Sequence, residues 1–411
     1  MAVSASTTAP GSGNVRVLMV VRLFDPWIGG TERQAHKLAR ALMQHGVDVQ
    51  IVTGRWFRRT ARQEVSDGVP VFRNQTLWEL FGIKGLRKFG GYLYIASLLI
   101  HLGRRRDSYD VIHVHGLNYH TFAAVIAGRR LGKPVVTKLA NSGPASDVLK
   151  MRESRQLALA RFMLPTALRS DRFGALNPDV VTELTASGVP AARIVELPNG
   201  VDTQHPARSD HHLHAPACVL YVGRLHPQKG LDTLLRAFAT LRAALDHRVV
   251  LRIVGEGPLG GDLVRLAARL GVTADVDFAG RHEEVSGDLA DADVFVLPSR
   301  AEGLSNALLE AMAAGIAPVV SDVPGNRDVV EDGKTGLVTT VDDPAELAAA
   351  LRRLLTDDDL RAALGTGARR AAEQTYGLDA ISARYIALYR SLLQAPGPST
   401  ISVGVARGGN P

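Results

Sequence analysis

Two glutamates, Glu302 and Glu310, flank a loop between a predicted strand and a predicted helix. The start of a helix carries partial positive charge and free backbone N–H donors, which suit a phosphate. At a rise of ~1.5 Å per residue, Glu310 would lie a short distance down the helix, with Glu302 on the other side of the phosphate. This layout suits a nucleoside diphosphate-sugar, with its sugar at Glu302 and its ribose at Glu310. The loop residues that would hold the phosphates are Gly303, Leu304, Ser305 and Asn306. The plainer interpretation is a surface strand–helix unit with two solvated glutamates.

Arg224 and Lys229 form a second candidate phosphate site, because they follow the predicted strand 217–223 and precede a predicted helix. At such a turn an arginine and a lysine can hold a pyrophosphate from two sides. The guanidinium group binds two oxygens at once, and the ammonium group supplies a point charge.

A glycine pair, Gly29 and Gly30, separates the first predicted strand from a helix that extends to about His45. This arrangement is typical of phosphate binding in a doubly wound sheet, and glycine lets the backbone approach a ligand closely. The turn is not G-x-G-x-x-G, and no acidic residue follows at the dinucleotide spacing, so an NAD site is disfavoured. A tight turn that needs glycine is the alternative interpretation.

Two histidines, His113 and His115, lie at the end of a predicted buried strand and share one face of it. Ligands gather at the carboxyl ends of parallel strands, so His115 is predicted to line a cleft. A structural histidine pair is the alternative. No third ligand is evident, and no metal site is predicted. The next strand, 134–139, adds Lys138 and is followed by Asn141 as further polar candidates.

Predicted strands and helices alternate along the 411 residues, which is typical of an α/β fold with parallel sheets and leaves room for two domains. The turn at residues 198–200 interrupts the pattern. We therefore predict an N-terminal domain over residues 14–198 and a C-terminal domain over residues 199–377. The tails 1–13 and 395–411 are predicted to be disordered.

The run PSRAEGLSNALLEAMAAG, which contains Glu302 and Glu310, resembles the signature of retaining family 4 glycosyltransferases (glycosyl transferases group 1). The resemblance extends from about Val15 to Leu393. It implies the GT-B fold, in which two Rossmann-like doubly wound parallel-sheet domains face each other across a cleft. It also implies that the last helix, residues 378–394, returns to the N-terminal domain.

The resemblance assigns the donor contacts. The turn that contains Gly223, Arg224 and Lys229 would clamp the diphosphate, and the turn at Gly29 and Gly30 would face the donor phosphates across the cleft. Gly255 would lie close to the nucleotide, and the loop that begins at Arg281 would seat its base.

This sequence differs from the family pattern at Ala140, where many family members carry a cleft histidine. Lys138, Asn141 and His115 are then the polar candidates there, the first two on the acceptor side.

The expected reaction is transfer of a sugar, with retention, from a nucleoside diphosphate-sugar to an acceptor hydroxyl of a glycan, a lipid-linked intermediate or a small molecule. UDP-sugar is favoured and GDP-mannose is second. The predicted catalytic residues are Glu302, His115, Lys229 and Arg224, without a metal or other cofactor. The alternatives are a non-catalytic nucleotide-sugar-binding relative, a nucleotide-sugar epimerase of the same fold and a dinucleotide-dependent oxidoreductase.

The positive charge is concentrated in the N-terminal half. Residues 1–200 carry 27 Lys and Arg against 14 Asp and Glu, and the remainder carries 21 against 27. This asymmetry indicates an anionic acceptor or an anionic membrane surface for the N-terminal domain, and no motif indicates nucleic acid. The basic and apolar segment 77–106 is either an interfacial membrane helix or a core-facing helix with a basic end.

Neither a signal peptide nor a membrane-spanning run is apparent, and Cys218 lies in a predicted buried strand. We therefore expect a cytoplasmic protein, or a peripheral one at the inner face of the membrane.

Overall fold

The computed structural model describes residues 14–25, 29–57, 59–76, 87–139, 141, 146–154, 157–204, 208 and 210–395. Ala140 and the predicted tails, except Ala395, lie outside these described residues.

An eight-stranded sheet forms the first domain, with the strand order β3-β4-β2-β1-β5-β6-β7-β8. All neighbouring strands are parallel except β3 and β4, which form an antiparallel hairpin that the sequence analysis did not predict. The strands are β1 (Arg16–Val21), β2 (Asp48–Gly54), β3 (Gln63–Ser66), β4 (Val69–Asn74), β5 (Val111–His115), β6 (Val135–Lys138), β7 (Arg172–Ala175) and β8 (Ile194–Glu196).

Helices cover both faces of this sheet because the strands are apolar on both sides. In β1, for example, Val17, Met19 and Val21 belong to one buried cluster, while Leu18 and Val20 belong to another. The helices are α1 (Gly30–Gln44), α2 (Arg87–Arg104), α3 (Tyr119–Leu131), α4 (Asp147–Arg152), α5 (Ala160–Ala167) and α6 (Pro178–Ala186), together with the last helix of the chain, α14 (Leu378–Gln394). Helices α1 and α14 cover one face, and α2, α3 and α5 cover the other.

A six-stranded parallel sheet forms the second domain, with the strand order β11-β10-β9-β12-β13-β14. Its strands are β9 (Ala217–Val222), β10 (Val249–Val254), β11 (Val276–Gly280), β12 (Val294–Leu297), β13 (Ala317–Ser321) and β14 (Leu337–Thr339). Its helices are α7 (Leu231–Ala243), α8 (Gly260–Arg269), α9 (Ser286–Ala290), α10 (Asn306–Ala313), α11 (Pro324–Arg327), α12 (Pro344–Thr356) and α13 (Asp358–Ala371).

The strand order reverses direction between β1 and β5 in the first sheet and between β9 and β12 in the second. Ligands of doubly wound sheets bind outside the carboxyl ends of the strands at such points. Gly29, His115, Arg224 and Glu302 follow or end these four strands. The topology therefore explains why the predicted site residues lie where they do.

The chain crosses between the two domains twice, and the two crossings lie side by side. The backbone N–H of Val201 donates to the carbonyl of Tyr376 at 2.8 Å, and the N–H of Leu378 donates to the carbonyl of Val201 at 2.9 Å. After the second crossing, α14 packs on the N-terminal sheet through residues that include Tyr385 and Tyr389.

Helix α2 faces the core of its own domain. Its apolar residues Tyr94, Ile95, Leu98 and Leu102 are buried, as the core-facing interpretation requires for this part of the segment 77–106. Residues 77–86 of that segment lie outside the described residues. Its basic end at Arg104 precedes β5. It therefore lies where the parallel strands begin, at the end of the sheet opposite the cleft. Among the described residues, no helix is both long enough and apolar enough to cross a membrane.

Candidate active site

A cleft of about 900 Å³ separates the two domains, and most of the predicted site residues line it. These residues are Gly29, Gly30, His115, Lys138, Asn141, Gly223, Arg224, Gly255, Arg281, Leu304, Asn306 and Glu310. Four others do not belong to this lining: Lys229, Glu302, Gly303 and Ser305.

The start of α10 is bound to the N-terminal domain. Ser305 caps the helix, since its hydroxyl accepts from the N–H of Leu308 at 3.3 Å. The side-chain oxygen of Asn306 accepts from Nε2 of Gln34 at 3.1 Å and from Nδ2 of Asn199 at 2.8 Å. The predicted phosphate-binding end of α10 therefore lies against the predicted glycine turn at the start of α1.

Glu310 forms an ion pair across the cleft that the sequence analysis did not predict. Nζ of Lys37 lies 2.6 Å from Oε1 of Glu310, and both side chains are partly exposed. A sequence signal was available, because Gly30, Gln34 and Lys37 share one face of α1 by helical periodicity. That face meets α10 at Asn306 and Glu310.

Glu302 and Lys229 contact each other. Nζ of Lys229 lies 2.5 Å from Oε1 of Glu302, and the hydroxyl of Ser299 donates to the same oxygen at 2.6 Å. Sequence analysis placed Glu302 at the sugar and Lys229 at the diphosphate. They meet because β9 and β12 are neighbours, so the turns that follow the two strands lie side by side.

The loop between Glu302 and Glu310 also contacts the N-terminal domain. Nδ2 of Asn177 donates to the carbonyl of Gly303 at 2.8 Å. Asn177, like Asn199 and Gln34, had no motif that marked it in the sequence.

Two glycines form the floor beneath Arg224. Gly255 has a φ of +145°, and a Cβ atom there would overlap the carbonyl oxygen of Gly223. Only glycine fits this close approach of two backbones. Both glycines line the cleft, so a ligand can come close to the main chain at these two positions.

The carboxyl ends of β5 and β6 place His115 and Lys138 side by side in the ladder. Burial lowers the pKa of the Lys138 ammonium to about 7, and it also lowers the pKa of His115. Nζ of Lys138 donates to the carbonyl of Pro198 at 3.2 Å. Asn141 turns away to Asp147, since its Nδ2 donates to Oδ1 of that residue at 2.9 Å.

Within the described part of the chain, no three His, Cys, Asp or Glu side chains lie close enough together to hold a metal ion.

Comparison with known proteins identifies the family. Residues 29–200 match the model of the glycosyl transferase 4-like domain, and residues 207–371 match that of glycosyl transferases group 1. The D-inositol 3-phosphate glycosyltransferase of Streptomyces coelicolor is 31% identical over 330 residues, which are 71% of this chain and 71% of that protein. The GDP-mannose-dependent alpha-(1-6)-phosphatidylinositol monomannoside mannosyltransferase of Mycobacterium tuberculosis is 31% identical over 291 residues, which are 64% of this chain and 75% of that protein.

A solved structure shows the same architecture. The structure of HepE from Anabaena in complex with UDP and glucose aligns with a TM-score of 0.70 at 19% identity, over 92% of this chain and all of that one. The predicted two-domain fold and the predicted family are confirmed. The chain belongs to the group 1 glycosyltransferases of family 4, and it has the GT-B fold.

Proposed function

The chain is a glycosyltransferase, and we propose that it transfers a sugar from a nucleoside diphosphate-sugar to an acceptor hydroxyl with retention at the anomeric carbon and without a metal ion. The observation that carries this proposal is the cleft wall formed by Arg224, the start of α10 and Glu310. In this order, the guanidinium group and the helix start can bind a diphosphate, and the carboxylate can bind the ribose that follows it.

The costly event in this reaction is departure of the diphosphate, because negative charge develops on its oxygens. Fixed cations and oriented N–H donors stabilise such charge without reorganisation. Arg224 and the N–H groups at the start of α10 would do so from the cleft. Lys229 would do so from the turn behind Arg224, where Glu302 holds its ammonium group in place.

Glu302 would bind hydroxyls of the donor sugar and place negative charge near an oxocarbenium-like carbon. A double displacement needs a carboxylate nucleophile on the far face of the sugar. The carboxylates among the cleft-lining residues are Glu32, Glu256 and Glu310. Glu32 is engaged at the start of α1, where it accepts from the N–H of Gly29 at 3.0 Å. Attack on the same face as the departing phosphate needs no carboxylate nucleophile, and we propose this route for retention.

The donor is proposed to be a UDP-sugar, with GDP-mannose second. The structural neighbour HepE binds UDP, and the mycobacterial relative is named for its use of GDP-mannose. The acceptor is proposed to belong to lipid-linked glycan, cell-surface polysaccharide or glycolipid synthesis.

Product analysis tests this proposal. Purified protein is incubated with UDP- and GDP-sugars, a panel of acceptors and EDTA, and the anomeric configuration of the product is read by proton NMR. The proposal predicts product with the configuration of the donor. An inverted product, or a requirement for added Mg²⁺, contradicts it. Nucleotide-sugar binding without any turnover indicates the non-catalytic alternative.

A further inference from the structure

Among the described residues, Lys37 and Lys138 line the cleft and Lys229 lies in the turn that begins at Arg224; two of these three lysines are paired with a carboxylate. Lys37 pairs with Glu310 at 2.6 Å, and Lys229 pairs with Glu302 at 2.5 Å. Lys138 differs from both. Its side chain is the most deeply buried of the three, and among the described residues its ammonium group has no carboxylate partner.

The described residues that adjoin Lys138 are neutral. His113 and His115 adjoin it on β5, and burial lowers the pKa of both, that of His113 to about 3. The Tyr385 ring of α14 lies 5.9 Å from Nζ, and Tyr389 of the same helix donates to Nδ1 of His113 or accepts from it at 2.8 Å. Pro198 contributes one carbonyl. Gly174 contributes only backbone from β7.

A second group beside Lys138 lacks a partner. His115 is 3% exposed and lines the cleft, and its Nε2 atom has no hydrogen-bond partner among the described residues. The atom itself is buried, and buried polar atoms are nearly always hydrogen-bonded, so Nε2 can still bond to a group placed beside it. An ammonium group and an imidazole nitrogen side by side would suit an anionic oxygen.

The two walls of the cleft also differ in charge. The wall of the C-terminal domain is balanced, with Arg224 and Arg281 against Glu256 and Glu310. The wall of the N-terminal domain has Glu32 as its carboxylate. Its cations are Arg22, Arg33, Lys37 and Lys138. The surplus of positive charge therefore lies on the wall of the N-terminal domain. Arg22 and Arg33 are near the turn at Gly29 and Gly30, whereas Lys138 lies two strands away on β6.

We propose that Lys138 and His115 form an anion subsite of the acceptor, which binds a phosphate or carboxylate group while the donor diphosphate lies against Arg224. This inference rests on the proposed function, since it assigns the N-terminal wall to the acceptor. The anion would supply the counter-charge that Lys138 lacks and a partner for His115. The acceptor is therefore an anionic compound rather than a neutral glycan.

Sulfate is a suitable probe because it stays a dianion across the neutral range. Wild-type protein is first saturated with UDP, which occupies the donor site, and sulfate is then titrated by calorimetry at constant ionic strength. The subsite predicts saturable sulfate binding that Lys138→Met weakens at least tenfold. Lys133→Met is the matched control, because Lys133 lies just before the opposite end of the same strand. This control variant should bind sulfate as the wild type does. Equal sulfate affinity in Lys138→Met and wild type overturns the proposal.

Binding of UDP separates the possible failures. If UDP does not bind to the wild type, the proposed function fails. If UDP binds and sulfate does not, the anion subsite fails while the proposed function stands. Retention of UDP affinity by Lys138→Met shows that the variant is folded.

The pH dependence of sulfate affinity in the wild type is a second test that needs no variant. The protonated form of Lys138 binds the anion, so affinity is at its full value below pH 7 and falls as the pH rises through the lowered pKa of about 7. Loss of one proton predicts a fall of about tenfold per pH unit between pH 7 and pH 9. A constant affinity from pH 6 to pH 9 overturns the proposal.

Competition identifies the source of the anion. Glycerol 3-phosphate represents a soluble phosphate ester, and vesicles of phosphatidylinositol, with phosphatidylcholine vesicles as the control, represent a lipid headgroup. Displacement of sulfate by the soluble ester supports a small phosphorylated acceptor. Displacement by phosphatidylinositol vesicles alone supports a lipid acceptor. Failure of both, with citrate as a carboxylate probe also inactive, overturns the assignment to the acceptor.

Discussion

At the scale of single residues, polar side-chain contacts join the two walls of the cleft, and a ligand can replace them. The Lys37–Glu310 pair is partly exposed, and such pairs contribute only about 0–1 kcal/mol to stability. A ribose that binds to Glu310 can therefore displace Lys37 at little cost in free energy. The Lys229–Glu302 pair is different, because both side chains are largely buried.

Glu310→Gln is expected to weaken UDP binding by about tenfold, since hydrogen bonds to an ionised carboxylate are roughly twice as strong as neutral ones. Calorimetry measures the dissociation constant. Lys37→Met is the control, because it removes the partner of Glu310 and leaves the carboxylate free for the ribose. Unchanged affinity of Glu310→Gln for UDP would remove Glu310 from the ribose site.

Lys229→Ala is expected to reduce turnover by about a hundredfold, the usual effect of losing one strong transition-state contact. It should also cost about 3–5 kcal/mol of stability, because it leaves the buried Glu302 carboxylate with the Ser299 hydroxyl but without a cation. Single-turnover rates and melting temperatures separate the two effects. The double variant Lys229→Met with Glu302→Gln should recover stability without recovering turnover. Turnover close to that of the wild type in either variant would exclude Lys229 from the diphosphate site.

At the scale of elements, periodicity and turn residues were enough to predict the alternation of parallel strands with helices and the glycine turns. Sequence analysis missed the hairpin β3–β4, because β3 has only four residues, is largely polar and carries little hydrophobic pattern. It also missed Gln34, Lys37 and Asn199, because their roles depend on where a helix or a crossing of the chain meets the other domain. Helical periodicity places Gln34 and Lys37 on the same face as Gly30, but no local pattern shows which element of the other domain that face contacts.

Gly255→Ala is expected to lower the melting temperature and to weaken UDP binding. The added Cβ would overlap the carbonyl of Gly223, and a residue with a side chain is strained at this φ by about 1–3 kcal/mol. Gly271→Ala is the matched control, because Gly271 also has a positive φ of +71° but has open space around it. The control should show the smaller loss of stability and normal UDP affinity. Equal effects at both positions would show that the close approach at Gly223 does not matter.

At the scale of the whole molecule, two crossings and several polar contacts hold the domains around one cleft, while the basic end of α2 lies at the opposite edge. Arg104 and Arg106 are exposed there. The apolar side of α2 is occupied by the core, so attraction to a membrane would have to be electrostatic.

Replacement of Arg104, Arg105 and Arg106 by glutamine is expected to reduce binding to anionic vesicles, by roughly 1 kcal/mol for each charge near the surface. Sedimentation with phosphatidylglycerol vesicles measures this binding, and UDP affinity should not change because the cleft is remote. Undiminished vesicle binding by the variant would indicate that the basic domain serves the acceptor alone.

The central claim is that the cleft binds a nucleoside diphosphate through protein groups without a metal. Calorimetric titration of the wild type with UDP, GDP, ADP and NAD in the presence of EDTA tests it most directly. The predicted result is saturable binding of one nucleoside diphosphate, with UDP favoured and NAD inactive. No binding of any nucleotide in EDTA, or binding of NAD alone, would contradict the claim.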